Sequence, residues 1–266
     1  GWGKPFVTDD CGVSVRFFAS TKTPKMGWLI NRVTLAREIN RMIREESLDI
    51  VEAPDWCGLS AGTHLACPLV IRCHGSDTYF GSLLGYKPRL STRIAEYMAL
   101  RSADAIAAVS QFTAEKTKAL FRLQQDIRVI PNGIDLRLFT VDQTEKQSKI
   151  ILYVGTLVRK KGVIDLCHIF NKVVARQADV KLWLIGRDAT DKATGATSTW
   201  SLMQNSFTPE ALAQTQYFGS IPYEQVKKYI HDAAVCVFPS FAEALPLSWM
   251  EAMACGKPLV VTDIGW

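Results

Sequence analysis

The sequence predicts an α/β protein made of two doubly wound parallel sheets, and three observations predict it. Apolar runs of strand length alternate with amphipathic helical stretches almost throughout. The alternation is interrupted at Gln143–Lys149, a polar stretch with no periodicity, and restarts directly after it. The apolar runs also end in loop-forming residues: His74-Gly75, Gly155, Gly186 and Pro239-Ser240. Continuous apolar strands separated by amphipathic helices mean parallel sheets covered on both faces.

The elements justify this in order. "GVSVRFFA" reads as an early strand, and Asn31–Glu46 as a helix with Val33, Ala36, Ile39 and Ile43 on one stripe. "LDIVEAPDW" is a strand that turns at Pro54, and "CPLVIRCHGSDT" a buried strand ending at His74-Gly75. A helical region over Arg89–Arg101, the strand "DAIAAVS", a helix after Ser110 and "IRVIPNGID" complete the first half. The second half opens with the strand "IILYVG". A helix follows over Val163–Arg176, with Val163, Leu166, Phe170 and Val173 on one side. Then come the strand "VKLWLIG", a Thr/Ala/Ser-rich loop over 189–201, the helix "YEQVKKYIHDA" and the strands "VCVFPS" and "PLVV". The domains are accordingly expected at 1–145 and 146–266. In doubly wound sheets ligands sit at the carboxyl ends of strands, and two such domains are expected to form a cleft there.

Composition narrows the function. The net charge of +5 is spread evenly, +2 over residues 1–145 and +3 over 146–266, so there is no basic stripe of the kind that binds nucleic acid. Seven irregularly spaced cysteines without a CxxC pair argue against a disulfide framework or a zinc site, and for a reducing compartment. No run approaches the ~18 apolar residues of a membrane span, and no signal peptide is visible. The absence of an initiator Met and an end just past a strand suggest a fragment, incomplete at both ends.

The segment "PSFAEALPLSWMEAMACGKP" carries the most chemistry. Glu243 and Glu251 on one continuous helix would lie about 80° apart, but Pro246 suits a helix start better than an interior. The expected arrangement is strand, turn, then a helix from about Pro246, with Glu243 in the loop and Glu251 on the second turn. Between them the free N–H groups of the helix start, near Leu247 and Ser248, make an anion site suited to phosphate. The alternative is two solvated surface carboxylates. Ala252, Ala254 and Gly256 weigh against it, because they mark a closely packed helix in which a Glu needs a partner.

"YVGTLVRKKGV" places Arg159, Lys160 and Lys161 in a loop between a strand end and a helix, where cations could meet a diphosphate or simply be solvated. It matches neither a Walker loop nor GxGxxG. In "RCHGSD", His74 stands at the mouth of a buried strand, with Asp77 placed either to orient it or to cap the next helix. No Asp-x-Asp occurs, so the usual acidic pair for a divalent metal on a sugar nucleotide is absent.

Taken together, "VSQFTAEKT", "VIPNGIDLRLF", "YVGTLVRKKG", "YFGSIPYEQVKKYIHDAAVCVFPS" and the Glu-seven residues-Glu segment resemble glycosyltransferase family 4, retaining enzymes of the GT-B fold with two Rossmann-like domains. The similarity runs from about "DIVEAPDW" to the end. It implies that Glu251 binds the nucleotide ribose and Glu243 contacts the donor sugar. Backbone around Leu245, Pro246, Leu247 and Ser248 would hold the distal phosphate, with Ala244 beside it. Lys161 would neutralise the diphosphate next to Gly155 and Thr156, and His74 would lie near the donor sugar. Gly186, Arg187 and Ile221 would border the base. Thr156 stands where the family often has Arg, with Arg159 as a substitute charge, and Ala244-Leu245-Pro246 replaces Gly-Phe-Gly.

The resemblance implies a metal-independent retaining hexosyltransferase with no cofactor beyond its nucleotide-diphosphate-sugar donor, active in polysaccharide biosynthesis. The acceptor would be a glycan, a lipid-linked glycan or a small molecule. It implies a cytoplasmic protein without a nucleic-acid partner, with peripheral contact to the inner face of a membrane left open. The alternatives are an epimerase or phosphorylase of the same fold, for which no motif appears, and a nucleotide-sugar-binding or structural module without turnover.

Overall fold

The computed structural model describes residues 6–19, 27–142 and 148–264. The chain forms two compact units, one of Gly1–Ser82 with Tyr86–Ile130 and one of Leu83–Gly85 with Pro131–Trp266. Of the linker expected at Gln143–Lys149, residues 143–147 lie outside the described residues. Phe139, almost fully buried, packs into the core of the second unit.

The first unit begins with a hairpin of β1 (Phe6–Asp10) and β2 (Val13–Phe17), antiparallel and joined by Cys11-Gly12. Both joining residues have positive φ, as a two-residue hairpin turn requires. β2 is the early strand expected; β1 was not anticipated, since "FVTDD" alternates weakly and is exposed throughout. After α1 (Gly27–Glu46) comes a parallel sheet of β3 (Val51–Pro54), β4 (Leu69–Cys73), β5 (Ala105–Ala108) and β6 (Ile127–Val129), in that spatial order. α2 (Asp77–Leu84) and α3 (Leu90–Ser102) connect β4 to β5, and α4 (Gln111–Phe121) connects β5 to β6. Ser110 caps α4 by accepting from the Thr113 N–H, which is why the helix starts where the sequence changes from strand to "SQFT". The core gathers Leu69, Ile71 and Cys73 of β4 with Leu100, Ile106, Phe121 and Leu123.

The second unit holds a five-stranded parallel sheet of β7 (Ile150–Val154), β8 (Lys181–Ile185), β9 (Thr215–Tyr217), β10 (Val235–Phe238) and β11 (Leu259–Val261). Its spatial order is β11-β10-β7-β8-β9. The direction of winding therefore reverses between β7 and β10, whereas the order in the first sheet runs without reversal. The helices are α5 (Val163–Val174), α6 (Thr199–Ser206), α7 (Pro209–Ala213), α8 (Tyr223–Asp232) and α9 (Leu247–Ala254). α5 buries Val163, Leu166, Phe170 and Val174 against Leu152, Leu182 and Leu184 of the sheet and Met203 of α6. The expected loop over 189–201 is shorter than anticipated, because Ser198 caps α6 and the helix begins at Thr199. Among the described residues, no helix is long and apolar enough to cross a membrane.

Candidate functional site

Open α/β sheets bind ligands where the winding reverses, and in the second unit that point lies between β7 and β10. The loops leaving these strands are Gly155–Gly162 and Pro239–Pro246. They are tied together three ways. The Phe241 N–H donates to the Lys160 carbonyl at 2.8 Å. Gly162, with φ of +68°, lies so close under Pro239 that a Cβ would come within 1.9 Å of its carbonyl oxygen. Lys161 Nζ stands 2.9 Å from Glu243 Oε1, an oxygen that also accepts from Ser240 Oγ at 2.9 Å.

Glu243 is buried in the loop ahead of α9, and Glu251 is buried on the second turn of that helix. Pro246 is the N-cap, so the helix start does fall between them and they do not share a helix face as an acid/base pair would. The alternative of two solvated carboxylates is overturned by their burial. The Leu245 carbonyl accepts from Asn132 Nδ2 at 3.3 Å, which fixes the turn leading into the helix. Leu247 and Ser248 open the helix, in the first turn where backbone N–H groups have no intrahelical acceptor.

Glu251 accepts from the Tyr223 hydroxyl at 2.7 Å. Burial raises its pKa, and the Tyr223 hydrogen bond pulls the other way. Ala252 is fully buried and Gly256, at φ +71°, ends the helix. Lys257 then reaches back to the His231 and Ala233 carbonyls at 2.8 and 2.9 Å, closing α8.

Sequence reasoning placed Arg159 toward phosphate; the structure shows its guanidinium in a two-pronged pair with Asp191, at 3.0 and 2.8 Å. Asp191 is buried, also accepts from Thr194 N and Oγ1, and is held well below the usual carboxylate range, chiefly by Arg159. Burial lowers the pKa of the Lys160 ammonium. Gly155 and Thr156 line the end of β7: the Gly155 N–H donates to the Ile185 carbonyl, and the Thr156 carbonyl accepts from the buried Tyr153 hydroxyl. Gly186 lies against the Gly155 carbonyl, where a Cβ would approach to 2.0 Å, and the Arg187 carbonyl accepts from the Leu157 N–H. Ile221 is half-buried on the same core, and Ala244 is buried. Tyr223 and Asp191 were missed by sequence reasoning, and Ser240 was read as a strand end without its bond to Glu243; the Tyr at the start of a helix with a marked apolar stripe could have suggested a role.

In the first unit His74 follows β4. The His74 and Gly75 N–H groups donate to the buried Asp55 carboxylate at 3.0 and 3.2 Å. Asp77 neither orients His74 nor caps α2 through its side chain, which instead accepts from the Tyr86 hydroxyl at 2.7 Å. The N-terminus of α2 is served by Glu96, fully buried in α3, which accepts from Asp77 N and Thr78 N. Burial lowers the pKa of His74, and Arg72 lowers it further. Among the described residues no three His, Cys, Asp or Glu side chains gather as a metal ligand set, and the cysteines are free.

Known proteins bear on this arrangement. TuaC of Bacillus subtilis (strain 168), a putative teichuronic acid biosynthesis glycosyltransferase, is 29% identical over 217 residues, 74% of this chain and 47% of TuaC. The chain spans about half the length of curated relatives such as TuaC. Among solved structures, sucrose-phosphate synthase from Thermosynechococcus elongatus superposes with a TM-score of 0.74 at 19% identity, covering 98% of this chain and 69% of that one. HepE of Anabaena, in complex with UDP and glucose, gives 0.66 at 17% identity, covering 91% and 66%. These likenesses show the expected fold, α/β of the GT-B class with Rossmann-like units. The model described as "Glycosyltransferase Family 4" matches residues 3–138 and that described as "Glycosyl transferases group 1" matches 137–266, so the chain belongs to glycosyltransferase family 4.

Proposed function

We propose that this chain belongs to a retaining, metal-independent hexosyltransferase that takes its sugar from a nucleotide-diphosphate sugar. One observation carries the reading: a cation, an open helix N-terminus and two buried carboxylates meet at the switch point of one sheet. Phosphate oxygens would bind the N–H groups of Leu247 and Ser248 and the Lys161 ammonium, Glu251 the ribose, and Glu243 the sugar. HepE, of the same fold, is described with UDP and glucose, which supports a nucleoside diphosphate as the leaving group.

In this reading the sugar C1–O bond to the diphosphate breaks while a C1–O bond to the acceptor forms on the same face, and the acceptor proton passes to a phosphate oxygen. Charge then grows on that phosphate, and Lys161 with the α9 N–H groups stabilises it without reorganising. Arg159 serves the site indirectly, by pinning the loop through Asp191. Asp55 holds the main chain of His74, and burial lowers the pKa of the His74 imidazole. The acceptor is a glycan, a lipid-linked glycan or a small molecule, with peripheral attachment to the inner face of a membrane if it is lipid-linked. Calorimetric titration of UDP, GDP and ADP tests the donor site, with EDTA present to test metal independence. If none binds, or if Lys161→Ala and Glu251→Ala leave affinity unchanged, the site assignment is wrong. Donor hydrolysis by the chain separates an enzyme from a binding module.

A further inference from the structure

We propose that Tyr223 is a positioning residue for the donor nucleotide: its hydroxyl holds one oxygen of Glu251 so that the carboxylate turns its other oxygen to a ribose hydroxyl. The proposal rests on the reading of Glu251 given above. Glu251 is 4% exposed, and a carboxylate so buried must be hydrogen-bonded or lose its charge. Among the described residues its side-chain donor is Tyr223, at 2.7 Å, from the first residue of α8. The phenol ring is itself held, edge to face with the buried Phe139 at 5.5 Å, while half of it stays open to solvent at the rim of the site. A phenol supplies one donor and no charge. It therefore fixes the carboxylate yet leaves its negative charge and its second oxygen for a hydroxyl, where a lysine or arginine would have neutralised it.

The protonation states agree with this geometry. Burial pushes the Tyr223 hydroxyl up to about 12, so it remains a donor at any physiological pH. Burial also raises Glu251, and the Tyr223 bond opposes that rise. Among the described residues, the other titratable groups acting on the pair are Cys255, the C-cap of α9, whose thiol burial raises, and Asp135, which acts on the Tyr223 hydroxyl. Lys227 of α8 and Lys257 act on Cys255. Removing the phenol hydroxyl must therefore move Glu251 further toward its neutral form.

The test titrates UDP, GDP and ADP into the chain, then carries the tightest of them and its 2′-deoxy form through pH about 5 to 8 with wild type, Tyr223→Phe and Glu251→Gln. Tyr223→Phe is expected to weaken the nucleotide roughly ten-fold, equivalent to one hydrogen bond to a charged group. It should also move the acid-side loss of affinity to higher pH and shrink the 2′-deoxy penalty. If Tyr223→Phe keeps the wild-type pH profile while Glu251→Gln weakens binding, Tyr223 only packs, and the proposal fails while the Glu251 reading stands. If Glu251→Gln binds as wild type throughout, the Glu251 reading fails and the proposal with it.

Discussion

Lys161 Nζ lies 2.9 Å from Glu243 Oε1, and Ser240 donates to the same oxygen. One carboxylate oxygen thus joins the loop after β7 to the loop after β10, across the point where the sheet reverses its winding. The pair holds Lys161 in place before any ligand arrives, so an incoming phosphate would share a cation already positioned rather than order a flexible one.

Replacing Lys161 by Met should therefore do two separable things. It removes one of the cations acting on the buried Glu243, destabilising the second unit by about 1–3 kcal/mol, less than for a fully buried pair because Lys161 keeps some solvent contact and Lys160 also acts on the carboxylate. It should also lower nucleoside-diphosphate affinity by roughly a hundred-fold. Adding Glu243→Gln should restore much of the stability and none of the affinity. Thermal melts and calorimetry on the three variants decide it; stability unchanged by Lys161→Met would mean that the pair holds nothing together.

Gly162 predicts a sharper loss. Its φ of +68° disfavours any side chain, and a Cβ would come within 1.9 Å of the Pro239 carbonyl oxygen, which is backbone and cannot rotate aside. Gly162→Ala should cost roughly 2–4 kcal/mol and part the two loops, so that nucleotide binding fails with stability. A variant with wild-type melting behaviour would show that the loops are not packed as described.

Asp191 predicts a pH dependence. Arg159 holds its carboxyl below the ordinary range, so the folded state binds its proton less readily than the unfolded chain does. The stability this contributes is fully present above the unfolded pKa of about 4 and is lost as pH falls toward the folded value. Asp191→Asn should cost about 1–2 kcal/mol at neutral pH, and the gap to wild type should narrow below about pH 4. Denaturant midpoints across that range measure it; a gap independent of pH would mean that the pair contributes no charge-dependent stability.

How much of this was legible beforehand follows from the kind of interaction. Most strands and the larger helices were readable because burial imposes a period, unlike the exposed β1: Val163, Leu166 and Phe170 fall on one face whatever their partners. The start of α9 was readable because proline restricts its own backbone. α6, α7 and β9 were not read, since a helix of eight residues, one of five and a strand of three carry almost no period; Thr208 before Pro209 was the available signal for α7. Arg159 with Asp191 and Tyr223 with Glu251 join residues about 30 apart through single side chains. Nothing local encodes such a pair, so a basic loop read as a phosphate site also contains the side chain that pins it.

Asp55 makes the last prediction, and it runs with the opposite sign. It takes the N–H groups of His74 and Gly75, which favour its charged form, yet burial dominates and pushes the carboxyl up to about 7. A carboxyl raised in the folded state binds its proton more tightly there than when unfolded, so stability should fall as pH rises from about 4 toward 7. The limit for one group shifted that far is roughly 4 kcal/mol. Asp55→Asn keeps an acceptor for one of the two N–H groups and cannot ionise. The difference in denaturant midpoint between wild type and Asp55→Asn, followed through that window, isolates the group from His74, which titrates in both. Stability rising with pH in wild type relative to the variant would mean that the two N–H bonds outweigh burial, and that Asp55 holds the His74 loop as a carboxylate throughout.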